Sequence, residues 1–230
     1  MRINKYVALA SGLSRRTADA AIAAGQVTVN GAASVTGQDI AVNDVVRLQG
    51  RILELPVLHT TLMLNKPAGF VVSREGQGSR TIYDFLPPEH HRLKPVGRLD
   101  KNSSGLLLLT DDGDLAQELT HPSRQKIKIY EVELGKPLEP LHRQMISDYG
   151  IQLEDGPSKL QLERQTEGND RAWIVTMHEG RNRQIRRTFE SLGYAVTRLH
   201  RTHFGNFSLG DLKAGKFTLV GRMPASQDNR

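Results

Sequence analysis

The sequence predicts an α+β protein in two parts. A small unit of helices and a hairpin spans residues 1–55, and a larger unit over 61–230 is built on a mixed, largely antiparallel sheet. Three observations carry this. Two short helical patterns are followed by Asn30-Gly31, the strongest short hairpin signal in the chain. After Thr61, strand and helix patterns mix without a regular βαβ rhythm. Residues 127–134 alternate, with Ile127, Ile129, Glu131 and Glu133 on one face and Lys128, Tyr130, Val132 and Leu134 on the other.

Taken in order, Ile3, Tyr6, Val7 and Ala10 suit a first helix stopped at Ser11-Gly12. Ser14 is an N-cap for a second, whose Ala18, Ala21 and Ile22 recur at helical spacing until Gly25. Val27-Thr28-Val29 is a strand entering the hairpin, Val42 to Leu48 a further strand, and residues 50 to about 60, with Pro56, a linker. In the larger unit, Leu62 to Asn65 is a strand running into the turn Lys66-Pro-Ala-Gly69, with Phe70-Val-Val as its continuation. Leu106 to Leu109 is a continuous apolar run that only a buried strand satisfies, closed by Asp111-Asp112-Gly113. Asp114 caps a helix through Leu115, Ala116 and Leu119, stopped by Pro122. Trp173 to Met177 is another strand, and Glu154-Asp155-Gly156 a turn. Asn182 caps a last helix, with Ile185, Phe189 and Leu192 on its apolar face and Gly193 at its end.

Composition narrows the function. Lysine and arginine number 31 against 25 acids, a net charge of +6, which points to a polyanionic partner such as nucleic acid. The absence of cysteine excludes a disulfide framework, a thiolate zinc site and a cysteine nucleophile. His200 and His203, and the adjacent His90-His91, lack a third ligand, so no metal is expected. Without an apolar run of spanning length or a signal-peptide core, the expectation is a cytoplasmic protein with no membrane partner and a monomer by default.

Two basic clusters stand out. Arg2, Lys5, Arg15 and Arg16 fall on the first helix pair, where an arginine pair beside open backbone N–H groups reads either as a phosphate seat or as a solvated basic face. Arg183, Arg186 and Arg187 crowd the start of the last helix, where the dipole disfavours cations unless a carboxylate or phosphate answers them, or where they form a plain basic surface. Between the clusters, Arg98-Leu99-Asp100 sits in a glycine-flanked loop on the lip of the buried leucine strand. An acid there can be held rigidly and still reach a substrate, or it is a solvated loop aspartate paired with Arg98.

Ile3-Asn-Lys-Tyr-Val, Ser14-Arg-Arg-Thr-Ala and Gly25-Gln-Val-Thr-Val-Asn-Gly31 resemble the S-four RNA-binding module. Leu64-Asn-Lys-Pro-Ala-Gly69, Gly97-Arg-Leu-Asp-Lys101 with Gly105-Leu-Leu-Leu-Leu-Thr110, Tyr130-Glu-Val, Gly180-Arg-Asn-Arg-Gln-Ile-Arg-Arg187 and Arg198-Leu-His-Arg-Thr-His-Phe-Gly205 follow in order. Together they resemble the ribosomal-RNA pseudouridine synthases that carry an N-terminal S-four module. Asn102-Ser103-Ser104 departs from the family, where an acidic or bulkier residue is common.

The resemblance implies isomerisation of uridine to pseudouridine without metal or organic cofactor, with ribosomal RNA as partner. It implies Asp100 as the catalytic acid, attacking the sugar or removing a sugar proton. Arg186 would pair bidentately with that acid, and Tyr130 would pack on the target base and assist proton removal at C5. Arg98 would fill the space vacated by the flipped base or hold a phosphate. Leu199 would line the uracil pocket, although a plain core leucine fits the position as well. Lys5, Arg15, Arg16, Arg181, Arg183 and Arg187 are the further RNA contacts expected. Gln152-Leu-Glu-Asp-Gly-Pro157 and the Arg124-to-Glu131 segment resemble the large-subunit enzymes. A small-subunit enzyme and a non-catalytic ribosome-assembly factor are the alternatives.

Overall fold

The computed structural model describes residues 1–41, 43–55 and 59–221. Backbone contacts divide the chain into two compact units, Met1–Thr60 and Thr61–Arg230.

In the first unit, α1 (Ile3–Ser11) and α2 (Arg15–Ala23) pack on a four-stranded antiparallel sheet. Its strands are β1 (Val27–Val29), β2 (Ala32–Ala33), β3 (Val46–Leu48) and β4 (Arg51–Ile52), in the order β2-β1-β3-β4. Gly12 ends α1 in the left-handed region, at φ 77°. Ser14 caps α2 by accepting the Thr17 amide. Asn30 and Gly31 both take positive φ (52° and 85°), as a tight two-residue hairpin requires. Ile3, Val7, Ala18, Ile22, Val27 and Val46 form the core.

Two expectations change here. The strand expected over 42–48 is described only from Val46, because the Asp44 carboxylate takes the Ala41 amide and the Asn30 amide nitrogen and holds the approach as a turn; Val42 lies outside the described residues. The expected linker begins with ordered structure. Arg51 and Ile52 pair with β3, and Leu53 joins the core, whereas Pro56 lies outside the described residues.

The second unit contains β5 (Thr61–Lys66), β6 (Lys94–Pro95), β7 (Ser104–Thr110), α3 (Gly113–Thr120), β8 (Lys128–Leu134) and α4 (Pro140–Gln144). There follow β9 (Ile151–Leu153), β10 (Gly156–Ser158), β11 (Gln161–Arg164), β12 (Ala172–Met177), α5 (Gln184–Glu190), β13 (Val196–Phe204), β14 (Phe207–Ser208) and β15 (Phe217–Val220). Its main sheet runs β11-β12-β8-β13-β7-β5-β15, with β6 on β7 and β14 on β13, while β9 and β10 form a separate hairpin. Every pairing is antiparallel except β13 on β7. The sheet is therefore mixed and largely antiparallel, as predicted.

The leucine run explains the middle of this sheet. Leu106 to Leu109 are all fully buried. Leu107 and Leu109 join Leu62, Leu64, Val132 and Trp173 on one face, while Leu106 and Leu108 join Met63, Leu115, Leu119 and Phe204 on the other. Each such side chain contributes about 1.5–3 kcal/mol on burial. At the parallel junction the chains approach so closely that a Cβ on Gly105 (φ 103°) would lie 2.2 Å from the Arg201 carbonyl oxygen. Glycine is therefore required at the point where the loop carrying Asp100 enters the sheet.

Three local expectations are corrected. Phe70-Val71-Val72 does not extend β5: Val71 makes an isolated bridge to Thr81, and Phe70 packs edge-on against Phe85 at 4.5 Å. Asp112, not Asp114, caps α3, accepting the amides of Asp114 and Leu115 at 3.0 Å. Arg183, in the left-handed region at φ 46°, occupies the N-cap of α5 in place of Asn182 and makes no side-chain cap bond. Among the described residues no helix is long and apolar enough to cross a membrane.

Candidate active site

Asp100 lies in the loop of residues 97–103 between β6 and β7. Leu99 is buried at its centre, Arg98 points outward, and the Asp100 side chain is one-third exposed. The loop hangs on a residue to which the sequence reading gave no role. Lys66 ends β5 with no exposed surface, and its ammonium donates to the carbonyls of Pro67 (3.0 Å), Asp100 (3.2 Å), Lys101 (3.4 Å) and Ser103 (2.7 Å). The Gly69 amide adds a bond to the Lys101 carbonyl at 2.7 Å. Burial pulls the Lys66 pKa down to about 8, against the opposing pull of the Asp100 carboxylate. Four carbonyl dipoles converging on one ammonium fix the backbone that aims Asp100.

The last helix faces this loop with two arginines in different roles. Arg183 Nη1 stands 3.8 Å from Asp100 Oδ2. The expected bidentate pair between Arg186 and Asp100 is not formed. Arg186, 6% exposed, spends one Nη on the Val196 carbonyl (2.7 Å) and the other on the Asn102 carbonyl (3.0 Å), bracing the loop rather than gripping its acid. Burial and the neighbouring Arg183 push the Arg186 pKa below its ordinary value, with Asp100 and Glu190 opposing. At such a basic guanidinium the charge survives this.

Arg181 and Arg187 pair with a different carboxylate. Arg187 grips Asp155 with both Nη groups (3.1 and 2.6 Å), and Arg181 reaches the same carboxylate at 2.8 Å and the carbonyls of Gly156 and Pro157. A carboxylate therefore answers these two cations, expected as RNA contacts, from within the fold. The guanidinium of Arg187 holds the Asp155 carboxyl below the usual range. Gln184 and Thr188, both bonded to the buried Ser158 hydroxyl, complete the attachment of α5 to the β9–β10 hairpin.

A cleft of about 1120 Å³ opens over the sheet, and Arg98, Asp100, Tyr130, Arg181, Arg183 and Leu199 line it. Tyr130 and Leu199 arrive from adjacent strands, Tyr130 opposite Arg201 and Leu199 opposite Val132. Leu199 belongs to the core and also lines the cleft. Arg186 and Arg187 stand behind the wall. Glu179, the second carboxylate on the lining, is bonded to Arg181 and Gln184. Asp100 accepts no side-chain hydrogen bond among the described residues.

In the first unit Arg15 and Arg16 are exposed in the first turn of α2 and unpartnered among the described residues. Arg2 instead pairs with Asp39 at 3.2 Å. Lys5 and Arg15 line a separate recess of about 580 Å³. The described residues contain no group of three or more metal-ligating side chains.

Residues 60–191 match the family described as RNA pseudouridylate synthase. Over 90% of its length the chain is 39% identical to a ribosomal large subunit pseudouridine synthase B of Vibrio cholerae, covering 67% of that protein. It is 36% identical to an uncharacterized RNA pseudouridine synthase of Aquifex aeolicus, over 94% of this chain and 89% of the relative. A crystal structure of a pseudouridylate synthase, 33% identical, superposes over 96% of both chains with a TM-score of 0.68. The chain spans 40–67% of the length of five of its large-subunit relatives.

Proposed function

Since the chain belongs to the RNA pseudouridylate synthase family, we propose that it isomerises a uridine of large-subunit ribosomal RNA to pseudouridine, with Asp100 as nucleophile. One observation carries the assignment. Of the two carboxylates lining the cleft, Glu179 is occupied by Arg181 and Gln184, whereas Asp100 keeps its oxygens open on a loop fixed by Lys66 and Arg186.

The reaction breaks the N1–C1′ bond, turns the uracil in place and joins C5 to C1′; the C5 proton is lost and N1 gains one. Atoms and electrons balance without a cofactor. A carboxylate oxygen attacking C1′ stabilises the developing positive charge on the sugar, as in glycoside cleavage. Arg183, 3.8 Å away, places a positive charge beside the attacking carboxylate. The target base must leave its stack to enter the cleft, where Tyr130 packs on it and Leu199 closes the pocket. Arg98, exposed at the rim, fills the vacated position or meets the adjacent phosphate.

The choice of large-subunit RNA follows the names of the relatives. The first unit is read as an S-four-type module that adds RNA affinity through Lys5, Arg15 and Arg16. A single chain suffices, because one unit lines the whole cleft.

Carbodiimide primer-extension mapping of both ribosomal RNAs in cells lacking the protein tests this. One pseudouridine of the large-subunit RNA should vanish, with wild type restoring it and Asp100→Asn failing to. Restoration by Asp100→Asn removes Asp100 from the role, and an unchanged map removes the activity.

A further inference from the structure

Arg201 has no part in the chemistry above, yet it is among the most deeply buried cations of the described residues. Its side chain is 3% exposed, its Nε donates to the Leu106 carbonyl at 2.8 Å, and its Nη2 is buried without a partner. The guanidinium lies 4.8 Å from the centre of the Phe204 ring. Lys128 Nζ lies 5.5 Å from the centre of the same ring and donates only to the Lys126 carbonyl, at 3.2 Å. No carboxylate stands within ion-pair distance of either cation among the described residues. Burial and repulsion from Arg201 both lower the Lys128 pKa; Glu179 opposes them from a distance while bonded to Arg181 and Gln184.

Two like charges beside one aromatic ring, one buried and one partly buried, are costly unless an anion joins them. Arg201, Lys128 and Phe204 all line the cleft that holds Asp100 and Tyr130. Arg201 is also the cross-strand partner of Tyr130, which sets the two side chains next to each other on one face.

We infer that Arg201 and Lys128 form an anion subsite in the floor of the cleft that takes one backbone phosphate of the RNA strand, beside the nucleotide held at Tyr130. This deepens the proposed function and rests on it. A uracil carbonyl would satisfy Nη2 but leave the second cation unanswered. A phosphate oxygen pair meets the planar guanidinium and the lysine point charge together. The Phe204 ring offers both cations a cation–π contact when the strand is absent.

The test uses the full chain and an unmodified transcript of large-subunit ribosomal RNA, following pseudouridine formation and affinity across a KCl series. Lys128→Gln should bind roughly tenfold more weakly, with the loss in KM rather than kcat, because a phosphate is held alike in ground and transition states. Its log affinity against log salt should be shallower by about 0.7–0.9, one phosphate contact. Arg201→Lys keeps the charge and loses the fork, so affinity should fall while the slope stays. If Arg201→Lys fails to fold, the partly exposed Lys128 still decides the matter. Conversion by wild type together with an unchanged slope in folded Lys128→Gln overturns the subsite and leaves the activity standing. No conversion by wild type overturns the activity and the subsite with it.

Discussion

Asp100 and Asp155 are both loop aspartates answered by arginines from one short stretch, residues 181–187, yet they are held in opposite ways. Asp155 receives three guanidinium hydrogen bonds between 2.6 and 3.1 Å. Asp100 has a single cation at 3.8 Å and no side-chain hydrogen bond among the described residues, while its backbone is clamped by Lys66 and its loop by Arg186. In Asp155 the side chain is spent on structure. In Asp100 the main chain is fixed and the side chain is left to act. A conventional count of ion pairs would rank Asp155 as the more important acid; the proposed function inverts that ranking, because an acid that attacks a substrate must keep its oxygens free.

The largest effect should come from lengthening each acid by one methylene. Asp100→Glu moves the carboxylate by more than an ångström along a path the fixed loop cannot absorb, which costs on the order of 10²-fold or more in kcat. Asp155→Glu, held by flexible arginines at the surface, should leave kcat within a few-fold. Single-turnover rates on one RNA transcript measure both. Equal losses would end the distinction between the two carboxylates.

Next comes the clamp. Lys66→Met removes the ammonium from four carbonyls, three of them in the Asp100 loop, and should cost about 2–4 kcal/mol of stability and much of the activity. The same lysine predicts a pH dependence whose sign separates activity from folding. Its pKa is about 8 in the folded chain against 10.5 for an ordinary lysine. Between those values the unfolded chain holds the extra proton, so the Lys66 contribution to stability rises with pH over this window. The ammonium that organises the loop is meanwhile lost. The rate should therefore fall above about pH 8 while the wild-type melting temperature gains on that of Lys66→Met. A parallel fall in rate and relative stability would show alkaline unfolding instead.

The division of labour explains what the sequence reveals and what it hides. Elements built from local pattern were legible: the Asn30-Gly31 turn, the Ser14 cap, the doubly buried leucine strand and the alternation around Tyr130. So was the placement of Asp100 on the lip of that strand. The supports of Asp100 and the partners of Asp155 were not, because they join residues far apart in the chain. Lys66 reaches carbonyls 34 to 37 residues on, Arg187 meets Asp155 across 32 residues, and Arg186 finds Asn102 across 84. The α5 cap was misplaced for a local reason: Arg183 enters the left-handed region that Asn182 was better suited to take, and so turns toward Asp100.

The smallest effect tests the other half of the comparison. Asp155→Asn removes the charge that neutralises Arg181 and Arg187 but leaves an acceptor for one of them, and the Gly156 and Pro157 carbonyls still hold Arg181. Ser158 also keeps its bonds to Gln184 and Thr188, so α5 stays attached to the hairpin and Arg183 stays over Asp100. The rate at saturating RNA should then change by no more than about threefold. The charge released, on Arg187 behind the cleft wall and on Arg181 still shared with Glu179, should tighten RNA binding modestly at low salt, an increment that disappears as screening shortens the range of the charge. A large loss of kcat, with binding unchanged, would mean that Asp155 sets the position of Arg183 through the helix. The two aspartates would then be one coupled device rather than a structural acid and a reactive one.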